Sequence, residues 1–151
     1  MKISAGLVLY RQGSGQIEVL LVHPGGPVWA KRDAGAWSIP KGEVSGNEDL
    51  LTAAQREFRE ELGTPPRGTF IPLGSITQKG GKAVHAWAVE GDLGTTEIKS
   101  NTFSMEWPPR SGRQQEFPEV DRASFFSLEE AKQKVNPAQI PLLERLRGLV
   151  G

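Results

Sequence analysis

The sequence predicts a mixed α/β fold of the α+β kind. Three observations carry that expectation: strand-like runs outnumber helical ones, several connections are short Gly-rich turns of the hairpin type, and one well-marked helix lies mid-chain between strand pairs. The 151 residues suit one domain with a sizeable core, so 1–151 is read as a single domain.

Residues 4–10 and 17–22 are apolar runs separated by a Gly-rich connection at 12–15, which reads as a hairpin. His23 follows directly. Residues 24–35 are turn-rich, too long for a tight turn, and set Trp29 beside Lys31 and Arg32; binding groups concentrate on loops of this kind. A short extended piece at 37–43 is closed by Pro40 and Gly42, with Trp37 expected in the core.

The run between Asn47 and Gly63 has no Pro or internal Gly and predicts a helix. Asn47 is the expected N-cap, Glu48 and Asp49 then fall in the first turn, and Gly63 takes the C′ position. Leu51, Ala54, Phe58 and Leu62 form its apolar stripe.

Residues 70–78 read as a strand with Pro72 near its start, followed by a turn at 79–82 flanked by Lys79 and Lys82. A largely apolar strand at 83–90 carries His85, expected as a hydrogen-bonded core residue. A further strand is expected at 97–106, then a non-periodic loop to Pro118 bearing Arg110, Arg113 and Glu116. Residues 120–126 return to strand. Ser127 and Glu130 have capping-box spacing at the start of a short helix, and Asn136 with Pro137 opens a final helix whose stripe is Ile140, Leu143 and Leu146.

Composition narrows the function. Lys plus Arg and Asp plus Glu are 18 each, so no global field recruits nucleic acid or an anionic membrane, and any phosphate binding must be local. The absence of Cys excludes disulfides, thiolate catalysis and Cys-type zinc sites. No long apolar run spans a bilayer and no signal peptide is evident, so a cytoplasmic protein without a membrane partner is expected, its oligomeric state left open.

The chemistry concentrates on the mid-chain helix. Glu57, Glu60 and Glu61 stand at i, i+3 and i+4, three carboxylates over one turn near the C-terminal end, where the helix dipole also disfavours anions. Two readings answer that repulsion. Arg56 and Arg59 offset it on a solvated face, or a hard divalent cation takes the oxygens.

The spacing continues beyond the triplet. Gly42, five residues, Glu48, seven residues and then Arg56-Glu57-Phe58-Arg59-Glu60-Glu61-Leu62-Gly63 resembles the box of the Nudix (MutT-like) hydrolases at every fixed position over residues 42–64. Thr64 departs from the closing apolar position. The preceding Trp37-Ser38-Ile39-Pro40-Lys41-Gly42 resembles the segment found before the box in many members.

The resemblance implies a mixed sheet in an α/β/α sandwich and Mg²⁺-dependent hydrolysis of a nucleoside diphosphate derivative, with Mn²⁺ as a substitute. It implies that Glu57 and Glu61 bind metal, that Glu60 does so directly or through water, that one of these three acids positions or deprotonates the attacking water, with Glu57 first and Glu60 also a catalytic candidate, and that Arg56 orients a box carboxylate. Lys41 would offer its carbonyl to metal and its ammonium to phosphate. Glu116 is the candidate acid from outside the box, with Glu119 in reserve. Trp29, Lys31, Arg32, Arg110 and Arg113 are the further substrate-binding candidates. Lys79 and Gly80 stand where ADP-ribose and diadenosine polyphosphate enzymes carry a marker Pro and Tyr, so neither marker is present. The segment before the box is similar to that of members acting on dinucleoside polyphosphates or inositol polyphosphates, and a small (di)nucleoside polyphosphate or nucleoside triphosphate is the expected substrate. The alternative is a non-catalytic Nudix-fold nucleotide sensor or protein-interaction module; the complete set of box acids counts against it.

Overall fold

Strand β1 (Ile3–Gly13) is buried over residues 4–10 because both of its faces are covered. Ala5, Leu7 and Leu9 join one core and Val8 and Tyr10 the other, the alternation that a pleated strand imposes. β1 pairs antiparallel with β2 (Gln16–Pro24) through the predicted hairpin, and parallel with β5 (Lys82–Glu90). The main sheet runs in the order β4 (Ile71–Gln78), β5, β1, β2, β8 (Val120–Ser127), with the short β3 (Lys41–Glu43) added antiparallel to β1.

The computed structural model describes every residue except Met1, Ser14, Thr96, Glu97 and Gly151, so Ser14 of the first turn and the expected strand start at Glu97 lie outside the described residues. Helix α1 (Leu50–Leu62) covers one face of the sheet: Ala53, Ala54, Phe58 and Leu62 pack with Leu7, Leu20 and Val89. Helices α2 (Leu128–Lys134) and α3 (Ile140–Val150) cover the other, where Leu128, Ala131, Leu142, Leu143 and Leu146 meet Val8, Leu21, Trp37 and Ile39. Each fully buried Leu, Val, Ile or Phe side chain among them contributes roughly 1.5–3 kcal/mol by leaving water. The result is the α/β/α sandwich that the resemblance implies. No described helix is long and apolar enough to cross a membrane.

Helix ends follow local chemistry with one shift. Asp49 is the N-cap of α1 in place of Asn47, its carboxylate accepting from the Thr52 N–H at 3.2 Å. Glu48 lies in a turn closed by its own N–H to the Ser45 carbonyl, because its carboxylate is taken by Arg56. Gly63 ends the helix at φ 80°, donating to the Arg59 carbonyl. Ser127 caps α2 by accepting from Glu130, and Asn136 caps a 3₁₀ turn (Pro137–Gln139) that leads into α3.

The stretch expected to be a loop from 107 to 118 is corrected in part. It contains β7 (Gln114–Pro118), which pairs antiparallel with β6 (Thr102–Glu106) in a separate two-stranded sheet. A pentapeptide with one strongly apolar residue shows no period by itself; its extended state comes from the pairing, which sets Phe117 opposite Phe103. The strand expected from 97 therefore begins at Thr102. His85 is half-buried in β5, whereas His23 is the fully buried histidine.

Candidate active site

The floor of the site is the segment from Ser38 to Glu43, and residues distant in sequence hold it. Fully buried Gln139 accepts from the Ile39 N–H at 3.0 Å and donates to Ser38 Oγ at 3.0 Å and Gln78 Oε1 at 2.9 Å. β3 then places Lys41, Gly42 and Glu43 opposite Gly6, Ala5 and Ser4. Gly42 lies under α1, so close to Glu57 that a β-carbon would overlap the carboxylate.

Arg56 is the hub of the acidic edge. Its Nε and Nη2 donate to the two Glu48 oxygens at 2.8 and 2.9 Å, Nη2 also to the Glu43 carbonyl at 3.1 Å, and Nη1 to Glu57 at 3.1 Å and Glu60 at 3.2 Å. A forked, permanently charged guanidinium is suited to this; a lysine ammonium cannot reproduce the paired geometry. The Glu48 contact raises the guanidinium further above its already high value and lowers the Glu48 carboxyl.

Glu61 has no such partner. It is 8% exposed, and among the described residues no cation stands within ion-pair distance of it. Burial, then the charges of Glu57 and Glu119, push its carboxyl well above the usual range, with Lys41 opposing. Burial also raises Glu57, and burial with Glu60 raises Glu119. Lys41 is lowered by burial and by Lys82, against the pull of Glu61, Glu57 and Glu43. Lys41, Glu61 and Glu119 line one cavity of about 140 Å³. Among the described residues no three acidic or histidine side chains converge where one metal ion could be held, since Glu57 and Glu60 lean on Arg56 while Glu61 and Glu119 line the Lys41 cavity. The donor set is nevertheless hard oxygen throughout and carries excess negative charge, which suits Mg²⁺ or Mn²⁺.

The other sequence candidates are distributed unevenly. Glu116 is exposed on β7 opposite Ser104, and the structure brings Glu119 to the box instead, pinned by its N–H to the Asn101 carbonyl and its carbonyl to the Gly25 N–H. Trp29 lines an apolar cleft that also includes Glu119. Lys31 and Arg32 line a different cleft of about 560 Å³ with Arg122 and Lys134. Arg110 and Arg113 stand exposed in the turn between β6 and β7, where the Glu106 carboxylate accepts from the Arg110 N–H, and they line neither the Lys41 cavity nor the Trp29 cleft. Lys82, at the start of β5, is the hairpin cation that acts on Lys41.

An acidic helix edge, a glycine beneath it and a cation-lined floor form the geometry that the box spacing implies, and the NUDIX domain family matches residues 1–146. The chain belongs to the Nudix family. Among curated Nudix relatives, an RNA pyrophosphohydrolase of Rhodospirillum rubrum is 40% identical over 65 residues, 41% of this chain and 38% of that protein. The asymmetrical bis(5'-nucleosyl)-tetraphosphatase of Caenorhabditis elegans is 43% identical over 58 residues, 38% of each. The matches thus span less than two fifths of these relatives. In fold, the chain resembles the C. elegans Ap4A hydrolase in a binary complex, with TM-score 0.70, 23% identity and 97% of each chain covered. It also resembles the NUDIX domain of Shewanella oneidensis NrtR complexed with ADP ribose, with TM-score 0.66, 15% identity, and 99% of this chain and 88% of that one covered.

Three features of this Nudix site escaped sequence reasoning. Gln139 had no motif around it, and His23 gave no sign of its buried partners. Glu119 carries no sequence signal that sets it above Glu116, and only the passage from β7 to β8 separates them, with Glu119 in the lining of the Lys41 cavity.

Proposed function

We propose that this Nudix protein acts, as a single cytoplasmic domain, as a divalent-cation-dependent pyrophosphohydrolase that cleaves a phosphoanhydride bond in a nucleoside polyphosphate. The observation that carries the reading is Glu61: a buried carboxylate without a counter-ion, beside Glu57 and Glu119, is a costly arrangement that a bound cation offsets. Glu57, Glu60, Glu61 and Glu119, with the Lys41 carbonyl, are the oxygen donors that would hold Mg²⁺ or Mn²⁺, and their carboxylates would have to draw together to do so. When bound, the cation neutralises phosphate oxygens and lowers the barrier to attack by water. Glu57, raised by burial yet hydrogen-bonded to Arg56, would take the proton from that water. Arg56 holds the Glu57 and Glu60 carboxylates in orientation, and Lys41 presents its ammonium to a phosphate from the cavity floor.

The names of the relatives, RNA pyrophosphohydrolase and bis(5'-nucleosyl)-tetraphosphatase, support anhydride hydrolysis on an RNA or a dinucleoside polyphosphate, and both classes belong in the assay. Purified protein is given Mg²⁺ with nucleoside triphosphates, dinucleoside polyphosphates or 5'-triphosphorylated RNA, and released phosphate, pyrophosphate and mononucleotides are measured. Turnover that falls at least about 100-fold in folded Glu57→Gln and Glu61→Gln supports the reading. Nucleotide binding without turnover would instead leave a sensor.

A further inference from the structure

We infer that Gln139 is a positioning residue for the hydrolysis: its buried amide presets the main chain at Ile39 and, through it, the Lys41 carbonyl counted among the oxygen donors. The inference rests on the preceding reading for what the floor of the site does, and on the hydrogen bonds alone for how it is held. Those bonds flank Ile39 and leave it to a side chain. The Ser38 N–H and carbonyl both pair with Val22, at 3.0 and 2.8 Å, and the Pro40 carbonyl accepts from the Leu7 N–H at 3.1 Å. An extended chain turns successive main-chain groups to opposite sides, so the Ile39 N–H points away from the partners of Ser38, and Pro40 has no N–H to add. Gln139 accepts from that N–H across 100 positions. The Ser38 hydroxyl donates to the Ile39 carbonyl at 2.7 Å and in turn accepts from the Gln139 amide, so one side chain controls both main-chain groups of Ile39.

Packing by itself would not choose glutamine here. Gln139 is fully buried, and Ile39, Leu142 and Leu143, its bonding and sequence neighbours, belong to the apolar core, where a side chain such as Met fills similar space without desolvating an amide. All three bonds of the amide leave its own turn and helix: two go to the floor, and the third goes to Gln78, the last residue of β4 before the hairpin that carries Lys82. The amide is thus spent on joining floor to hairpin. Carboxylates on α1 can draw toward a cation by rotating their side chains, whereas a main-chain carbonyl cannot, so its place has to be set beforehand. The floor also has little slack toward β1, since a β-carbon on Gly6 would stand 2.7 Å from the Pro40 carbonyl oxygen.

The test is a Mg²⁺ titration of substrate-free protein, read from the backbone amide NMR signals of Lys41 and Gly42, in the parent, Gln139→Met and Leu146→Ala. Leu146 is fully buried in the same core and has no polar group to offer the floor. Gln139→Met is expected to raise the Mg²⁺ Kd about 10-fold or more, the scale of losing the outer support of a metal ligand. Its Tm should fall less than that of Leu146→Ala, which should keep the parental Kd. Kd values that follow Tm in both variants would overturn the inference, as would a parental Kd in folded Gln139→Met. Should Gln139→Met not fold, Ser38→Ala decides, because it removes the hydroxyl between Gln139 and the Ile39 carbonyl: a raised Kd supports the inference and a parental one overturns it. Parent signals that ignore Mg²⁺ overturn it together with the metal site. No substrate is present, so binding and turnover separate. A parent that binds Mg²⁺ here but hydrolyses no polyphosphate refutes the hydrolase reading, and the Gln139→Met comparison still decides whether the amide presets the floor; a hydrolase whose Mg²⁺ Kd is the same in Gln139→Met refutes only the inference.

Discussion

The Glu57 carboxylate lies against the α-carbon of Gly42, in the space that a β-carbon would fill. Gly42 is outside the left-handed region, so its backbone does not demand glycine; the neighbouring acid does. This links the first and central positions of the box through space.

Gly42→Ala should therefore displace Glu57. Overpacking of this kind costs about 1–3 kcal/mol, and turnover should fall as it does in Glu57→Gln. Urea denaturation and assay check both effects. In a Glu57→Ala background the same substitution should cost much less, because the clashing group is gone. Equal costs in the two backgrounds would show that something other than Glu57 demands the glycine.

The pH dependence follows from Glu61. Its carboxyl is raised in the folded state, so the folded protein keeps a proton that the unfolded chain releases above about pH 4.5. Stability from this source is complete below that pH and is lost as the pH rises through the folded-state value. Metal-free Glu61→Gln should accordingly melt above the parent at neutral pH, with the gap closing as the pH is lowered toward the carboxylate range. Millimolar Mg²⁺ should raise the Tm of the parent and do much less for the variant. For a chain of this size each 1 kcal/mol appears as about 2–4 °C in a calorimetric scan.

Glu119 and Glu116 make a matched pair for a metal test. Both are exposed, but Glu119 lines the cavity with Glu61 and Lys41 and Glu116, on β7, does not. Glu119→Gln is expected to raise the Mg²⁺ concentration for half-maximal activity about 10-fold or more, an effect on the scale of losing a supporting ligand. Glu116→Gln should leave the Mg²⁺ titration unchanged. A reversed result would return Glu116 to the site.

His23 ties down the loop that carries Trp29. Its Nδ1 is 2.8 Å from Asp121 Oδ1 and its Nε2 is 2.6 Å from the Arg32 carbonyl, with the ring edge-on to Trp37 at 5.2 Å. The ring thus bridges two polar groups from distant segments. His23→Ala leaves a cavity and removes the partner of both, and should lower stability by roughly 2–4 kcal/mol. Hydrogen exchange at 26–36 should quicken more than in β1. An exchange pattern identical to that of the parent would remove the tethering role.

How much could be read from the chain alone depended on the range of the interaction. Helix α1, its Gly63 end and the shared edge of Arg56, Glu57, Glu60 and Glu61 are set by neighbours three or four positions apart, and the box spacing extends that pattern to Gly42 and Glu48. The apolar runs of β1, β2 and β5 likewise read as strands, the last buried on at least one face, and the structure buries both faces of that sheet. Tertiary structure decided the rest. β7 is a strand only because β6 lies beside it, and the passage from β7 to β8 brings Glu119, not Glu116, to the cavity lining. Gln139 reaches Ile39 across 100 positions and His23 reaches Asp121 across 98. Such contacts leave no period in the sequence, because each partner satisfies a single buried polar group whose position exists only once the sheet and helices have packed.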